Sequence, residues 1–268
     1  MQGASSGPTR SVRRGRREHR HTIVLAIVLL IGVFGVEAGL AAPLTDAGVG
    51  RVASSVSMSE DYGGGGQMAA DATGGYWVTD AAGGVTAYEG ASLFGSLAGS
   101  GIRLNEPIVG MASTPDGNGY WLVASDGGIF SYGDARFFGS MGGHALNTPI
   151  TGMAADRATG GYWEVATDGG VFAYNAPFYG SAGAIRLNEP IVGIEGSPNG
   201  QGYRFVASDG GIFTYGQAPF DGSTGDMPLS APVVGIAADN TTNGYWLAAA
   251  DGGIFTFGGA SYMGRLVS

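Results

Sequence analysis

The chain of 268 residues contains no cysteine and no lysine, and only three histidines. Without cysteine there is no disulfide, no thiolate ligand and no thiol nucleophile, so an exported domain of this composition has to rest on its packed core. Two of the histidines, His19 and His21, lie in the basic N-terminus, which leaves His144 alone in the rest of the chain. One imidazole without a thiol does not make a usual zinc site. A Ser–His–Asp triad would have to use His144, and no nucleophile-elbow motif accompanies it. A solvated loop histidine is the plainer reading, and no motif implies a cofactor. Positive charge is also scarce. Beyond residue 43 there are 7 arginines against 20 Asp and Glu, a formal net of −13. Such a domain does not attract nucleic acid or an anionic membrane surface through its general field.

Glycine, by contrast, is abundant at 52 residues, and it recurs on a period. A Gly-Tyr pair places Tyr76, Tyr120, Tyr162, Tyr203 and Tyr245 at successive spacings of 44, 42, 41 and 42 residues, and a Gly-Gly pair steps with it at Gly83, Gly127, Gly169, Gly210 and Gly252. A period of about 40–45 residues is the signature of propeller blades. Each unit reads as four short strands, represented by PIVGMA, GYWLVAS, GIFSY and ARFFGS, separated by PDGNG-like and DGG turns. Gly and Asp in those turns allow the positive φ of tight hairpins, so each unit is an antiparallel meander. The strands are apolar on both faces and must be covered on both, which radial stacking of sheets achieves. A parallel β-helix competes, but it needs shorter coils and fewer hairpins. The sequence therefore predicts an all-β chain: a β-propeller of about five four-stranded antiparallel blades over 66–268, where five lies within the range that closes a ring.

The N-terminus predicts an address. Six arginines fall between Arg10 and Arg20, followed by the uncharged run Ile23–Val36 and then AGLAAP. This order, basic then apolar then small residues, is that of an export signal with cleavage after Ala41. The alternative is an uncleaved anchor, although 14 strictly apolar residues are short for a span. Either way residues 1–43 form an apolar helix behind a basic end, the basic end stays inside and the repeats lie outside the membrane. Residues 44–65 mix Ser, Gly, Val and acids and end in Gly63–Gly66, which reads as a linker.

The unit GYWLVASDGGIFSYGDARFFGSMGG, at Gly119–Gly143, resembles the secreted propeller-type repeat of actinobacteria, and the resemblance covers residues 66–268. It is looser in the first unit, where Ala82 stands in place of the turn Asp and Thr86 in place of the Phe. DGGIFSYGDARFFGSMG is more distantly similar to blades of the regulator-of-chromosome-condensation type, whose nuclear roles do not transfer to an exported chain. The resemblance implies a β-propeller used outside the membrane as a scaffold or binding domain. It implies no reaction, because propellers host many unrelated functions.

Candidate chemistry lies mainly in departures from the repeat. Asp126, Asp168, Asp209 and Asp251 recur once per unit before Gly-Gly; spread around a ring they serve turns and do not converge on one bond. Trp77, Trp121, Trp163 and Trp246 share a position that holds Arg204 in the fourth unit. In that unit Glu195 replaces an alanine held by the others. These two positions oppose each other on adjacent strands and are expected to form an ion pair in place of aromatic packing, or else a polar patch for a ligand. Glu164 replaces an apolar residue in the third unit and is a further ligand-binding candidate. The Trp row itself is either core or, if exposed, a set of repeated sugar pockets. IRLNEPIVG occurs unchanged at 102–110 and 185–193, which points to duplication and not to a site.

Together these features lead us to expect a non-enzymatic exported binding or scaffold domain, whose partner is a cell-wall glycan or an extracellular protein and whose only membrane contact is the N-terminal segment. The rival readings are a carbohydrate-active enzyme with Glu164 or Glu195 in a central funnel, and a repeat module of a larger secreted enzyme.

Overall fold

A computed structural model describes residues 56–57 and 67–262. The expected apolar helix of 1–43, and all of 44–65 except Val56–Ser57, lie outside the described residues. Within them the chain is all-β, with no helix and with antiparallel pairing throughout. The first sheet is ordered β1 (Val56–Ser57), β2 (Gln67–Ala70), β3 (Tyr76–Thr79), β4 (Val85–Tyr88). The second comprises β5 (Ile108–Ser113), β6 (Gly119–Ala124) and β7 (Ile129–Gly133). The third comprises β8 (Ile150–Ala155), β9 (Tyr162–Ala166) and β10 (Val171–Tyr174). The fourth comprises β11 (Ile191–Gly196), β12 (Gly202–Ala207) and β13 (Ile212–Gly216). The fifth comprises β14 (Val233–Ala238), β15 (Tyr245–Ala249) and β16 (Ile254–Phe257).

The hairpins form where the turn chemistry placed them. In the DGG turns the Asp carboxylate accepts from the second glycine's N–H, at 2.9 Å for Asp126 and Gly128, and the first glycine, Gly127, sits at φ 78°. The same bond recurs at Asp168, Asp209 and Asp251, so these aspartates cap turns. In the first unit Ala82 does not leave the turn uncapped: Asp80, two residues earlier, accepts from both Ala82 and Gly84.

The five sheets stack in a propeller-like way. The first strands lie side by side in the order β2, β5, β8, β11, β14. Strand β1 pairs with β2 and also lies against β14, so it stands where the first sheet meets the fifth. Side chains from neighbouring sheets make a separate apolar cluster at each of the five junctions, including the one joining Met68 and Tyr76 of the first sheet to Trp246 and Ala248 of the fifth. The core is thus a ring of seams between sheets.

One expectation needs correction. Each repeat contributes three strands, not four, because the described residues of ARFFGS and its counterparts do not form strands; the fourth strand of the first sheet, β1, comes from ahead of the repeats. In the first four units this segment carries a glycine at φ between 131° and 147° (Gly95, Gly139, Gly180, Gly222), a backbone that side-chain-bearing residues rarely adopt. At Gly139 an added Cβ would meet the Tyr174 ring of the next sheet at 2.8 Å, so glycine is required by close approach as well as by φ.

These outer segments are held by side chains in place of a backbone ladder. The indole N–H of each sheet's own Trp donates to a carbonyl on the segment: Trp77 to Ser92, Trp121 to Arg136, Trp163 to Pro177 and Trp246 to Ser261, at 2.8–2.9 Å. The next sheet's Tyr fastens the same segment from the other side. The Tyr162 hydroxyl donates to Gly139 at 2.7 Å and accepts from Phe138 N–H at 3.1 Å; Tyr203 and Tyr245 repeat the arrangement, and Tyr120 donates to Gly95 O and accepts from Gly95 N–H. Trp and Tyr also meet ring to ring across the seam, with centroids 5.1–5.2 Å apart for Trp77–Tyr120, Trp121–Tyr162 and Trp163–Tyr203.

Candidate functional site

The Trp row is core. All four tryptophans are at most 5% exposed, which excludes repeated sugar pockets built on them. The two departures from the repeat are buried as well, and they occupy different seams.

Arg204 and Glu195 lie directly opposite on β12 and β11. Their side chains meet in an ion pair between Arg204 Nε and Glu195 Oε1, with both side chains wholly buried. Arg204 reproduces what a Trp does at this position. Its Nη1 donates to Pro219 O at 3.3 Å, the counterpart of the carbonyl that each indole reaches. Its guanidinium lies 4.4 Å from the Tyr245 ring centre, replacing the indole-on-Tyr contact with a cation over an aromatic face. Nη1 and Nη2 both donate to Asn243 O at 3.2 Å, and Asp221 lies 3.7 Å from Nη1. Asn243 holds a left-handed φ of 65° in the turn of the fifth sheet, aiming its carbonyl into the seam. Burial pushes the Glu195 carboxyl above the usual carboxylate range, and the adjoining guanidinium pulls it part of the way back. The sequence signalled this pair through two substitutions at opposed positions. It gave no sign of Asn243, which comes from the next unit and is brought in only by stacking, while Asp221 lies on the fourth unit's own outer segment.

Glu164 on β9 sits in the seam between the second and third sheets, paired across its own sheet with Met153 and Phe172. It is completely buried, and neither carboxylate oxygen has a hydrogen-bond partner. Oε2 lies beneath the Asp126–Gly127 turn, 3.2 Å from where a Cβ on Gly127 would be. Burial, with a smaller contribution from the Asp126 charge, raises its pKa to about 8, so the group is neutral at pH 7. The structure therefore brings Glu195 and Arg204 together and leaves Glu164 apart from both. His144 is exposed in its connection. Among the described residues, no three His, Asp or Glu side chains are placed so that they could hold a metal ion.

A feature that the sequence reading missed lies on the outer segments. Leu93, Phe137, Phe178, Phe220 and Tyr262 occupy one equivalent position per sheet and are 56–62% exposed. Each follows directly after the residue whose carbonyl is held by Trp or Arg204. In three sheets the residue after it packs a ring against the next sheet's Tyr. The exposed side chain is thus presented outward from backbone fixed on both sides. Its signal was an apolar residue recurring on the period, inside the segment read as a fourth strand. No protein-family model matches this chain, and no curated protein matches it in sequence.

Proposed function

We propose that this chain is an exported five-bladed β-propeller that acts as a non-enzymatic binding or scaffold domain at the cell envelope, of the kind its repeat resembles. The observation that carries the reading is the row of exposed apolar side chains, one per sheet, on the rigidly held outer segments. Isolated exposed apolar residues are ordinary, but five at one repeated position make a multivalent surface, where weak contacts add through effective concentration. Four of the five positions hold Phe or Tyr if the fifth sheet is counted and Leu93 set aside, and flat aromatic faces suit sugar rings and protein side chains alike. The polar exceptions support binding elsewhere than at themselves, since Arg204, Glu195 and Glu164 are enclosed in seams.

The test incubates the purified full chain with insoluble cell-wall glycan and, separately, with proteins released from the same cell surface. A variant carrying Phe137→Ser, Phe178→Ser and Phe220→Ser runs beside it. Saturable capture by one of the two materials, lost in the variant at unchanged melting temperature, is the expected result. Capture that the variant retains, or no capture by either material, would overturn the reading.

A further inference from the structure

Two of the five seams hold a buried glutamate, and the one between the second and third sheets, unlike the Arg204–Glu195 seam, pairs it with no cation among the described residues. It contains a fully buried carboxyl with two unpartnered oxygens at a position that is Leu122 in the second sheet and Leu247 in the fifth. We propose that Glu164 is a proton-operated latch: neutral, it packs this seam as an apolar residue would, and ionised, it draws water in and loosens this seam alone.

The geometry supports this in three ways. First, an ionised carboxylate here has no donor to receive it, and an unpaired buried charge is far more costly than an unpaired neutral group. Second, the titratable groups that act on it do not offset a negative charge. Asp126 faces it from the β6–β7 turn of the preceding sheet, and Tyr162 and Tyr174 stand beside it on β9 and β10. Asp126 repels it, and the nearby carboxylate adds to the upward shift of both tyrosines, which stay neutral and bring no positive charge to the site. Third, the carboxyl lies against a glycine turn: Oε2 is 3.2 Å from where a Cβ on Gly127 would be, with Met141 beside it. The same seam depends on Tyr162, which holds the outer segment at Phe138 and Gly139. Loosening there frees that segment while the other four stay fastened.

The sign of the linkage follows from the raised value. The unfolded carboxyl titrates near 4.5 and the folded one near 8. The folded state therefore keeps a proton that the unfolded state loses, and the stabilisation is complete below pH 4.5 and declines as pH rises to about 8. Over that window the unfolding equilibrium shifts by about tenfold per pH unit.

The experiment compares the full chain with Glu164→Leu, which restores the repeat's own residue, and with Glu164→Gln, which keeps the shape and removes the titration. Urea unfolding from pH 5 to 9 reads global stability. Hydrogen exchange, corrected for intrinsic rates, reads residues 119–142 and 162–174 against 233–257 as an internal reference. In the expected result the ratio of wild-type to Glu164→Leu unfolding constants climbs with pH and levels off near 8, and exchange in the first two regions rises above the reference in the wild type only. A ratio that does not change with pH in either variant, or faster exchange spread evenly over all the sheets, would overturn the latch.

Discussion

Removing only one member of the Glu195–Arg204 pair should be far worse than replacing both by the residues the repeat uses elsewhere. Glu195→Ala leaves a guanidinium wholly buried between the fourth and fifth sheets. Arginine does not discharge by losing its proton, so the charge remains. Its other contacts, Pro219 O, Asn243 O and Asp221 at 3.2–3.7 Å, soften the loss but do not replace a carboxylate in direct contact. Breaking a buried pair in this way costs about 3–5 kcal/mol. In a domain of this size, 1 kcal/mol moves the melting temperature by about 2–4 °C, so a drop of at least ~6 °C is expected. The double variant Glu195→Ala, Arg204→Trp restores the alanine and tryptophan of the other sheets, with an indole N–H aimed at Pro219 O and a ring against Tyr245. Its stability should fall within about 1–2 kcal/mol of the parent, or above it, because well-packed apolar replacements of buried pairs are often neutral or stabilising. The assay is urea unfolding of the parent, both single variants and the double, read as a double-mutant cycle. If Glu195→Ala costs less than about 1 kcal/mol, or the double variant costs as much as the two single changes together, the view of Arg204 as a charged stand-in for tryptophan fails.

Other consequences can be checked in the same way. Tyr162→Phe removes a hydroxyl that both donates to Gly139 and accepts from Phe138; it should cost about 1–3 kcal/mol in urea unfolding and speed exchange in residues 135–142 before the rest. Gly139→Ala forces a Cβ into the Tyr174 ring and a side chain onto an unfavourable φ, so a loss of about 1–3 kcal/mol is expected in thermal melts, larger than for alanine at an open glycine such as Gly143. Phe137→Ser changes an exposed side chain and should leave stability within about 0.5 kcal/mol while weakening capture by whichever envelope material binds the chain.

The repeating parts of the fold were legible because their causes are local. The DGG and PDGNG turns needed only positive φ and a short carboxylate, and the apolar pattern fixed three strands in every unit. The fourth strand was misread because its alternation of apolar residues is that of a strand, whereas its conformation is decided by one glycine and by hydroxyl and indole groups from two different sheets. Asp80 shows the same limit on a smaller scale: a turn cap shifted by two residues looks like a missing cap in an alignment. The ion pair was legible because both partners broke the pattern at opposed positions of a single hairpin. Asn243 breaks no pattern that points to Arg204; Asp221 stands where three other units hold Phe94, Phe138 and Tyr179, a departure that went unread; and Glu164 revealed its strangeness but not its lack of partners, which depends on the neighbouring sheet. The exposed aromatic row was visible as a period, yet only the direction of the segment distinguishes a buried face from a displayed one.

The tyrosine that fastens the outer segment in each of the first four units belongs to the following sheet, so the unit copied in the sequence and the unit that holds itself together are out of phase by about half a repeat. Cutting the array at a repeat boundary severs one such fastening, and adding a repeat by duplication supplies one to the unit before it. The array is therefore directional in how it can grow or be shortened: a newly inserted copy stabilises its predecessor at once and waits on its successor for its own outer edge. Libraries that recombine these repeats should place their joints between a Gly139-type glycine and the preceding strand only if the next unit's tyrosine travels with them.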